Sequence, residues 1–396
     1  MRVAILGAGG LGRALVAELR TDPRVSALVL VDRLGDRAKV LAAMRGRVPM
    51  EAHTLAVEDH DRLQRAIRGC DVVVNATLPR YNLLLMGACL EAGADYLDVS
   101  ATGPRSPGGP PGIYEQLELH DTFRQAGITA LISMGLDPGI SNVLAREAAD
   151  SLDRIDAIRI RSASRARLPG FEAFPLYSRE AFLSDILVRP TVWLHGRLEE
   201  REPASEEEVY PFPPPLGPLR SYLASHEEVK TLPRFLGKPV GRVDFKHALD
   251  PNLVHATLAL DRLGLLDDRR TVRVGSQLVP FRQVLLAAFP EPSSLVRPLE
   301  GAEALSVEVE GEVRGRRKVL RRDVVMTHAE ANRRRGTHAV YYLTASAAAI
   351  GVDLLNDKAL PSPGVYPSEA LDPAAVLREW ESRVAPVARS ERDAPA

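Results

Sequence analysis

Short apolar runs, each long enough for one buried strand, alternate with stretches of helical character over the first 150 residues. The runs fall at residues 3–6, 27–31, 71–75, 96–99 and 128–132. Between them, residues 13–19 and 36–44 read as helices, and 59–68 carries Leu63 and Ile67 four apart on one face. Residues 82–92 set Leu83, Met86 and Leu90 on one face with Gly93 as the stop. One helix is expected over 115–125, and Ser141 is the expected N-cap of another over 142–149. Such alternation predicts a doubly wound parallel sheet. From Ile155 the texture changes: Ile158 and Ile160 alternate with Arg159 and Arg161, the period of a half-exposed antiparallel strand. Further strands are expected over 240–245 and 305–313, with a helix over 253–263. The acidic stretch 199–208 and the proline-rich 211–218 read as surface excursions. A small-residue helix over 344–355, an amphipathic one over 373–384 and a frayed tail close the chain.

The first apolar run breaks into Gly7-Ala8-Gly9-Gly10-Leu11-Gly12. Gly7 permits a tight turn, Gly9 lets backbone approach a pyrophosphate, and Gly12 lets the helix pack on the strand. The free N–H groups around Gly10 and Leu11, at the start of the helix, complete an anion site. Asp32 ends the second strand twenty residues beyond Gly12, where a carboxylate accepts hydrogen bonds from the adenosine ribose. This is the pattern of a dinucleotide site. The acid at Asp32 favours NAD, and Arg33 beside it keeps NADP open as the alternative.

Composition changes this picture little. With 396 residues, two domains are expected, and a net charge of −1 gives no field for nucleic acid or an anionic membrane. The cluster of arginines over 314–322 reads as a solvated strand face. Two cysteines, Cys70 and Cys89, lie in apolar surroundings and read as core thiols of a cytoplasmic protein. No apolar run approaches the length of a membrane span, and no His, Cys, Asp or Glu spacing suggests a metal. The Pro- and Gly-rich stretch 102–112, beside the strand ending near Val99, reads as a loop able to cover a substrate.

Several motifs, in order, carry a resemblance. They are the glycine loop, Asp71-Val-Val-Val-Asn-Ala-Thr-Leu-Pro79 with Asn82, and Ala88-Cys-Leu-Glu-Ala-Gly-Ala-Asp-Tyr-Leu-Asp98. Gly135-Leu-Asp-Pro-Gly139, His226-Glu-Glu-Val-Lys-Thr-Leu-Pro-Arg234 and Gly364-Val-Tyr-Pro-Ser-Glu369 continue the series. Together they resemble the saccharopine dehydrogenase-like family. The resemblance implies a Rossmann domain over 1–135 and an inserted α+β substrate and dimerisation domain of open mixed sheet over 136–335. A segment over 336–385 would return to the first domain, leaving 386–396 as tail. It also implies chemistry at an amine carbon, with Asn75, Ala76 and Thr77 bordering the cofactor, Asp98 to Ser100 lining the cleft, and Asp137, Pro138 and Gly139 closing it. The chain departs from the pattern at Arg80 and Tyr81 and at residues 164–169.

Dehydrogenation of a C–N bond needs a neutral amine, a hydride acceptor and a group that moves a proton. Asp98, Asp137 and His226 are the candidate acids and bases; each also has a plain reading, as strand end, turn cap and exposed loop residue. Tyr96 is a candidate substrate neighbour. Arg234, with Arg161 second, suits a substrate carboxylate because a guanidinium binds one bidentately. Lys246 is either an inward substrate partner or a surface lysine. The sequence therefore predicts an NAD(P)-dependent oxidoreductase acting on an amino acid or its imine adduct. A lysine 6-dehydrogenase-type deaminase and a dinucleotide-binding regulator without turnover are the alternatives. A homodimer is the expected assembly.

Overall fold

The computed structural model describes residues 1–44, 46–102 and 112–394, so most of the loop read over 102–112 lies outside the described residues. The chain forms two compact units: Met1–Ser151 with Arg234–Gly237 and Tyr341–Val387, and Leu152–Pro233 with Lys238–Val340 and the residues from Ala388. The first stretch runs β1 (Arg2–Leu6), α1 (Gly10–Leu19), β2 (Ala27–Asp32), α2 (Gly35–Ala42), β3 (Met50–Thr54), α3 (His60–Ile67) and β4 (Val72–Asn75). It continues through α4 (Asn82–Ala92), β5 (Asp95–Asp98), α5 (Gly112–Leu117), α6 (His120–Ala126), β6 (Thr129–Ile132) and α7 (Ile140–Asp150). The second stretch holds β7 (Arg154–Arg167), α8 (Arg179–Leu187), β8 (Thr191–Leu194), β9 (Arg197–Glu200), β10 (Glu208–Pro211), β11 (Pro218–Leu223), α9 (Glu228–Phe235) and β12 (Val240–Ala248). After it come α10 (Pro251–Arg262), β13 (Thr271–Val274), β14 (Gln277–Pro280), α11 (Phe281–Ala288), β15 (Glu300–Val313), β16 (Arg316–Thr327) and α12 (His328–Arg335). The chain closes with α13 (Ala339–Asn356), β17 (Gly364–Pro367), α14 (Pro373–Arg383) and β18 (Ala388–Asp393).

The first sheet has the order β17-β6-β5-β4-β1-β2-β3 and is parallel throughout. Val3, Ile5, Leu28, Leu30, Val72 and Val74 are buried in it, as expected of strands covered by helices on both faces. β3 escapes the apolar reading because it is an edge strand of mixed residues, Met-Glu-Ala-His-Thr, none of them fully buried. The helix expected over 115–125 is two helices: Leu119 N–H bonds the Gln116 carbonyl at 3.1 Å, a tight turn that ends α5. Ser141 is not the cap of α7. Gly139 is, at φ +136°, a conformation that only glycine adopts readily, and Asn142 Oδ1 accepts its N–H at 3.0 Å. The first unit therefore takes in α7 and extends past residue 135 to Ser151.

The second sheet is mixed, in the order β10-β11-β12-β7-β15-β16-β18, with the β8–β9 hairpin joined to β12. β7 and β12 run parallel, while β15 and β16 are antiparallel to their neighbours. The segment expected to fray is strand β18, whose Glu391 and Asp393 each meet Lys318 at 2.9 Å. Its residues are all exposed and four of the six are charged, so no apolar period announced it. The excursions expected over 199–208 and 211–218 contain strand residues, and Tyr210 and Phe212 pack against Ala163 and Leu219. Arg161 is not on a solvated face: it is 2% exposed, bound to Glu208 and, at 2.6 Å, to Asp244. α13 has the length and hydropathy of a membrane span, yet 78% of it is buried within the protein, as in a core helix.

Candidate active site

The glycine loop has the shape a diphosphate requires. Gly7 has φ +103°, and a Cβ on it would lie 2.7 Å from the Ala76 carbonyl oxygen. A Cβ on Gly12 would overlap the Gly7 carbonyl oxygen, so α1 and the strand end touch through backbone. At Gly9, among the described residues, nothing lies within 4 Å of a Cβ position. The space beside the N-terminus of α1 is thus open where a phosphate would enter, and the residues fit a dinucleotide. Asp32 anchors this loop: Oδ2 accepts the Ala8 N–H and Oδ1 the Leu34 N–H, both at 2.7 Å. Arg33 next to it is exposed.

A chain of polar side chains runs beneath the strand ends of β4 and β5. Thr77 N–H donates to Asn75 Oδ1 at 2.9 Å, and Asn75 Nδ2 donates to Asn82 Oδ1 at 2.8 Å. Asn82 Nδ2 in turn reaches the Ser100 carbonyl at 2.8 Å and Gln116 Oε1 at 3.2 Å. Gln116 Nε2 donates to Asp98 Oδ2 at 2.6 Å, while Asp98 Oδ1 accepts the Ser133 N–H at 2.7 Å. Both Asp98 oxygens are thereby engaged, at 1% exposure. Tyr96 is fully buried in the core of the first unit, which corrects its reading as a substrate neighbour. Burial pushes its phenol well above the usual range, with Asp98 adding to the shift.

The turn 135–139 hangs from the same strand end, since Met134 N–H bonds the Asp98 carbonyl at 2.8 Å. Gly135 N–H bonds the Pro138 carbonyl at 2.8 Å, the Asp137–Pro138 peptide is cis, and Asp137 is half-buried. Behind the turn, Asn142 Nδ2 donates to the buried Glu369 at 3.0 Å. Glu369 belongs to the late Gly-Val-Tyr-Pro-Ser-Glu motif, so two distant motifs meet here. Arg234 lies with its guanidinium carbon 3.7 Å from the centre of the Tyr114 ring. A guanidinium stacked in this way keeps its N–H edges for a carboxylate.

In the second unit, His226 is not an exposed loop residue. Its ring stacks on Phe245 with centroids 3.5 Å apart, and Nδ1 lies 3.0 Å from Glu228 Oε2. Lys230 Nζ donates to the His226 carbonyl at 3.2 Å; burial lowers its pKa, against Glu227 and Glu228, which raise it. The donor atoms of His226, Glu227 and Glu228 lie within 4.8 Å of one another, a grouping able to hold a cation that the sequence spacing did not suggest. Sequence reasoning also missed Asp185, bound by the Tyr177 hydroxyl. Burial pushes its carboxyl up to about 6, against the neighbouring His226. His247, edge-on to Tyr177, is pushed down to about 3 by burial and His226. Ser164, Phe174, Tyr177, Arg220 and His247 border a cavity of about 260 Å³. The signal that was available is β12 itself, where Phe245 and His247 share one face. Lys246 therefore points the other way, buried at 6% exposure and 3.4 Å from Glu208, which corrects its surface reading. Arg161, on that same opposite face, is buried and paired with Glu208 and Asp244, which speaks against its reading as a carboxylate partner.

The profile of the saccharopine dehydrogenase NADP binding domain matches residues 3–131, and that of the saccharopine dehydrogenase C-terminal domain matches 135–385. The chain is 27% identical over 385 residues to carboxyaminopropylagmatine dehydrogenase of Synechocystis sp., covering 95% of this chain and 94% of the relative. It is 26% identical over 404 residues to carboxynorspermidine synthase of Vibrio cholerae, with 96% and 95% covered. In structure it is similar to the apo saccharopine dehydrogenase (L-Glu forming) of Saccharomyces cerevisiae, with a TM-score of 0.73 at 14% identity and 99% of each chain covered. The chain belongs to the saccharopine dehydrogenase family and is an NAD(P)-dependent oxidoreductase acting on C–N bonds.

Proposed function

We propose that the substrate is a secondary amine joining a carboxylate-bearing aminoalkyl group to a polyamine-type chain, interconverted with its imine. The two relatives, a carboxyaminopropylagmatine dehydrogenase and a carboxynorspermidine synthase, support this class over saccharopine or lysine. The observation that carries it is the acidic setting of His226, with Glu227, Glu228 and Asp185 around one imidazole. Carboxylates attract an amine substrate, and the Glu228 contact fixes the ring so that Nε2 acts as the base.

Bound NAD(P) accepts or supplies hydride at the substrate carbon. In the oxidative direction His226 takes a proton from the amine nitrogen, leaving it neutral, and in the reductive direction it returns one. Arg234, flat on Tyr114, holds the substrate carboxylate. Asp98, with both oxygens engaged, acts as a positioning residue that joins β5 to the Ser133 backbone, and Asp137 to Gly139 border the substrate. NAD is the preferred cofactor, because Asp32 keeps a negative charge where a 2′-phosphate would lie. The test offers carboxynorspermidine, carboxyaminopropylagmatine, saccharopine and lysine with NAD and NADP, reading cofactor reduction. Turnover of the carboxylated polyamines at least tenfold above the other two is expected. Preference for saccharopine or lysine would overturn the substrate class, and no turnover of any amine would overturn the whole reading.

A further inference from the structure

Along α13, Tyr341, Thr344, Ala348 and Gly351 follow one another at helical spacing on one face. At Gly351 the helix touches the first sheet: a Cβ there would lie 2.7 Å from Leu97 Cδ1 and 2.8 Å from Met134 Cγ. Two turns nearer the N-terminus, Thr344 Cγ2 is 3.3 Å from the Cβ position of Gly135. At the end of the stripe, Tyr341 reaches the glycine loop. A Cβ on Gly10 would overlap Tyr341 Cε2 and Cζ and lie 2.8 Å from Cδ2. The hydroxyl-bearing end of the ring, not its stem, makes this approach. Gly7 and Gly12 lack side chains because backbone fills their space, and Gly9 because its space is open. Gly10 lacks one because an aromatic ring from the far end of the chain occupies it. Gly10 also opens α1, where unpaired N–H groups face an incoming phosphate.

We propose that Tyr341 is a positioning residue of the dinucleotide site, its ring closing one side of the glycine loop and its phenol donating a hydrogen bond at the cofactor diphosphate. The C-terminal segment then completes a cofactor site that the N-terminal motif only begins. A half-buried ring at the loop also excludes water from the phosphate contacts, which strengthens each of them.

The test is direct titration of the full-length protein with NADH and NADPH by cofactor fluorescence, with thermal melting alongside. Tyr341→Ala is expected to weaken cofactor binding at least fivefold while the melting temperature moves little. Tyr341→Phe keeps the ring and loses the donor, so a smaller loss of two- to fivefold is expected. Gly10→Ala should weaken binding in the wild-type background and weaken it less when combined with Tyr341→Ala, because the ring it collides with is gone. Wild-type affinity in both tyrosine variants would overturn the proposal. So would an equal cost of Gly10→Ala in both backgrounds, which would remove the ring from the loop. Should Tyr341→Ala not fold, unchanged affinity in Tyr341→Phe overturns the role of the phenol by itself.

Discussion

Neighbouring glycines in the phosphate loop separate binding from folding. Gly9→Val places its side chain in open space, so the fold should survive while the pyrophosphate approach is blocked. Cofactor affinity should fall at least about tenfold, roughly 1.4 kcal/mol, with an unchanged circular dichroism spectrum. Gly12→Ala is the converse, because its methyl group overlaps the Gly7 carbonyl oxygen. That variant should lose about 1–3 kcal/mol of stability in urea melts. A Gly9→Val protein that binds like wild type would displace the diphosphate from this loop. Asp32 tests the adenosine end. Its carboxylate takes two backbone N–H groups and still presents negative charge at the end of β2, so kcat/KM should favour NAD over NADP. Equal or better use of NADP would mean that the exposed Arg33 governs the pocket.

At the scale of elements, buried strands were legible and edges were not. β1, β2, β4, β5 and β6 announce themselves because helices cover both their faces and favour apolar residues between their ends. β3 and β18 are held at sheet edges by backbone pairing and charge, and neither carries an apolar period. The glycine loop was legible because each step of its geometry demands a residue type. The polar lining around His226 was not, since Tyr177 comes from a loop, Asp185 from α8 and His247 from β12, and only the fold unites them. The chain from Thr77 through Asn75, Asn82 and Gln116 to Asp98 is of the same kind. Gln116, at 1% exposure, links α5 to β5. Gln116→Leu removes a donor from a buried carboxylate and should cost about 1–3 kcal/mol. It should also lower kcat more than it weakens cofactor binding, since the strand end beside the proposed substrate site loosens. A variant with wild-type stability and kcat would show that this chain positions nothing.

For the whole molecule, acid should act first on the second unit. Burial holds His247 and His338 down to about 3 and His328 to about 4, all below the ordinary 6.5. Their contribution is complete above pH 6.5 and is lost as pH falls, because the unfolded chain takes up protons that the folded one refuses. Asp185 works the other way: its carboxyl, pushed up to about 6 from 3.8, holds a proton in the folded state between those values and offsets one histidine. Near pH 5 the unfolded second unit thus gains about two protons over the folded one, worth on the order of 3 kcal/mol per pH unit. In the first unit, Asp353 sits between Arg24 and Arg383 and is pushed up to about 6 by burial, so acidification favours its folded state. Calorimetric scans at pH 7, 6 and 5 should therefore resolve a transition that moves down steeply with acid from one that moves less. Limited proteolysis near pH 5 should cut first within residues 152–340. A melting temperature flat between pH 7 and 5, or first cuts in the glycine-loop unit, would show that these histidines take up protons without unfolding.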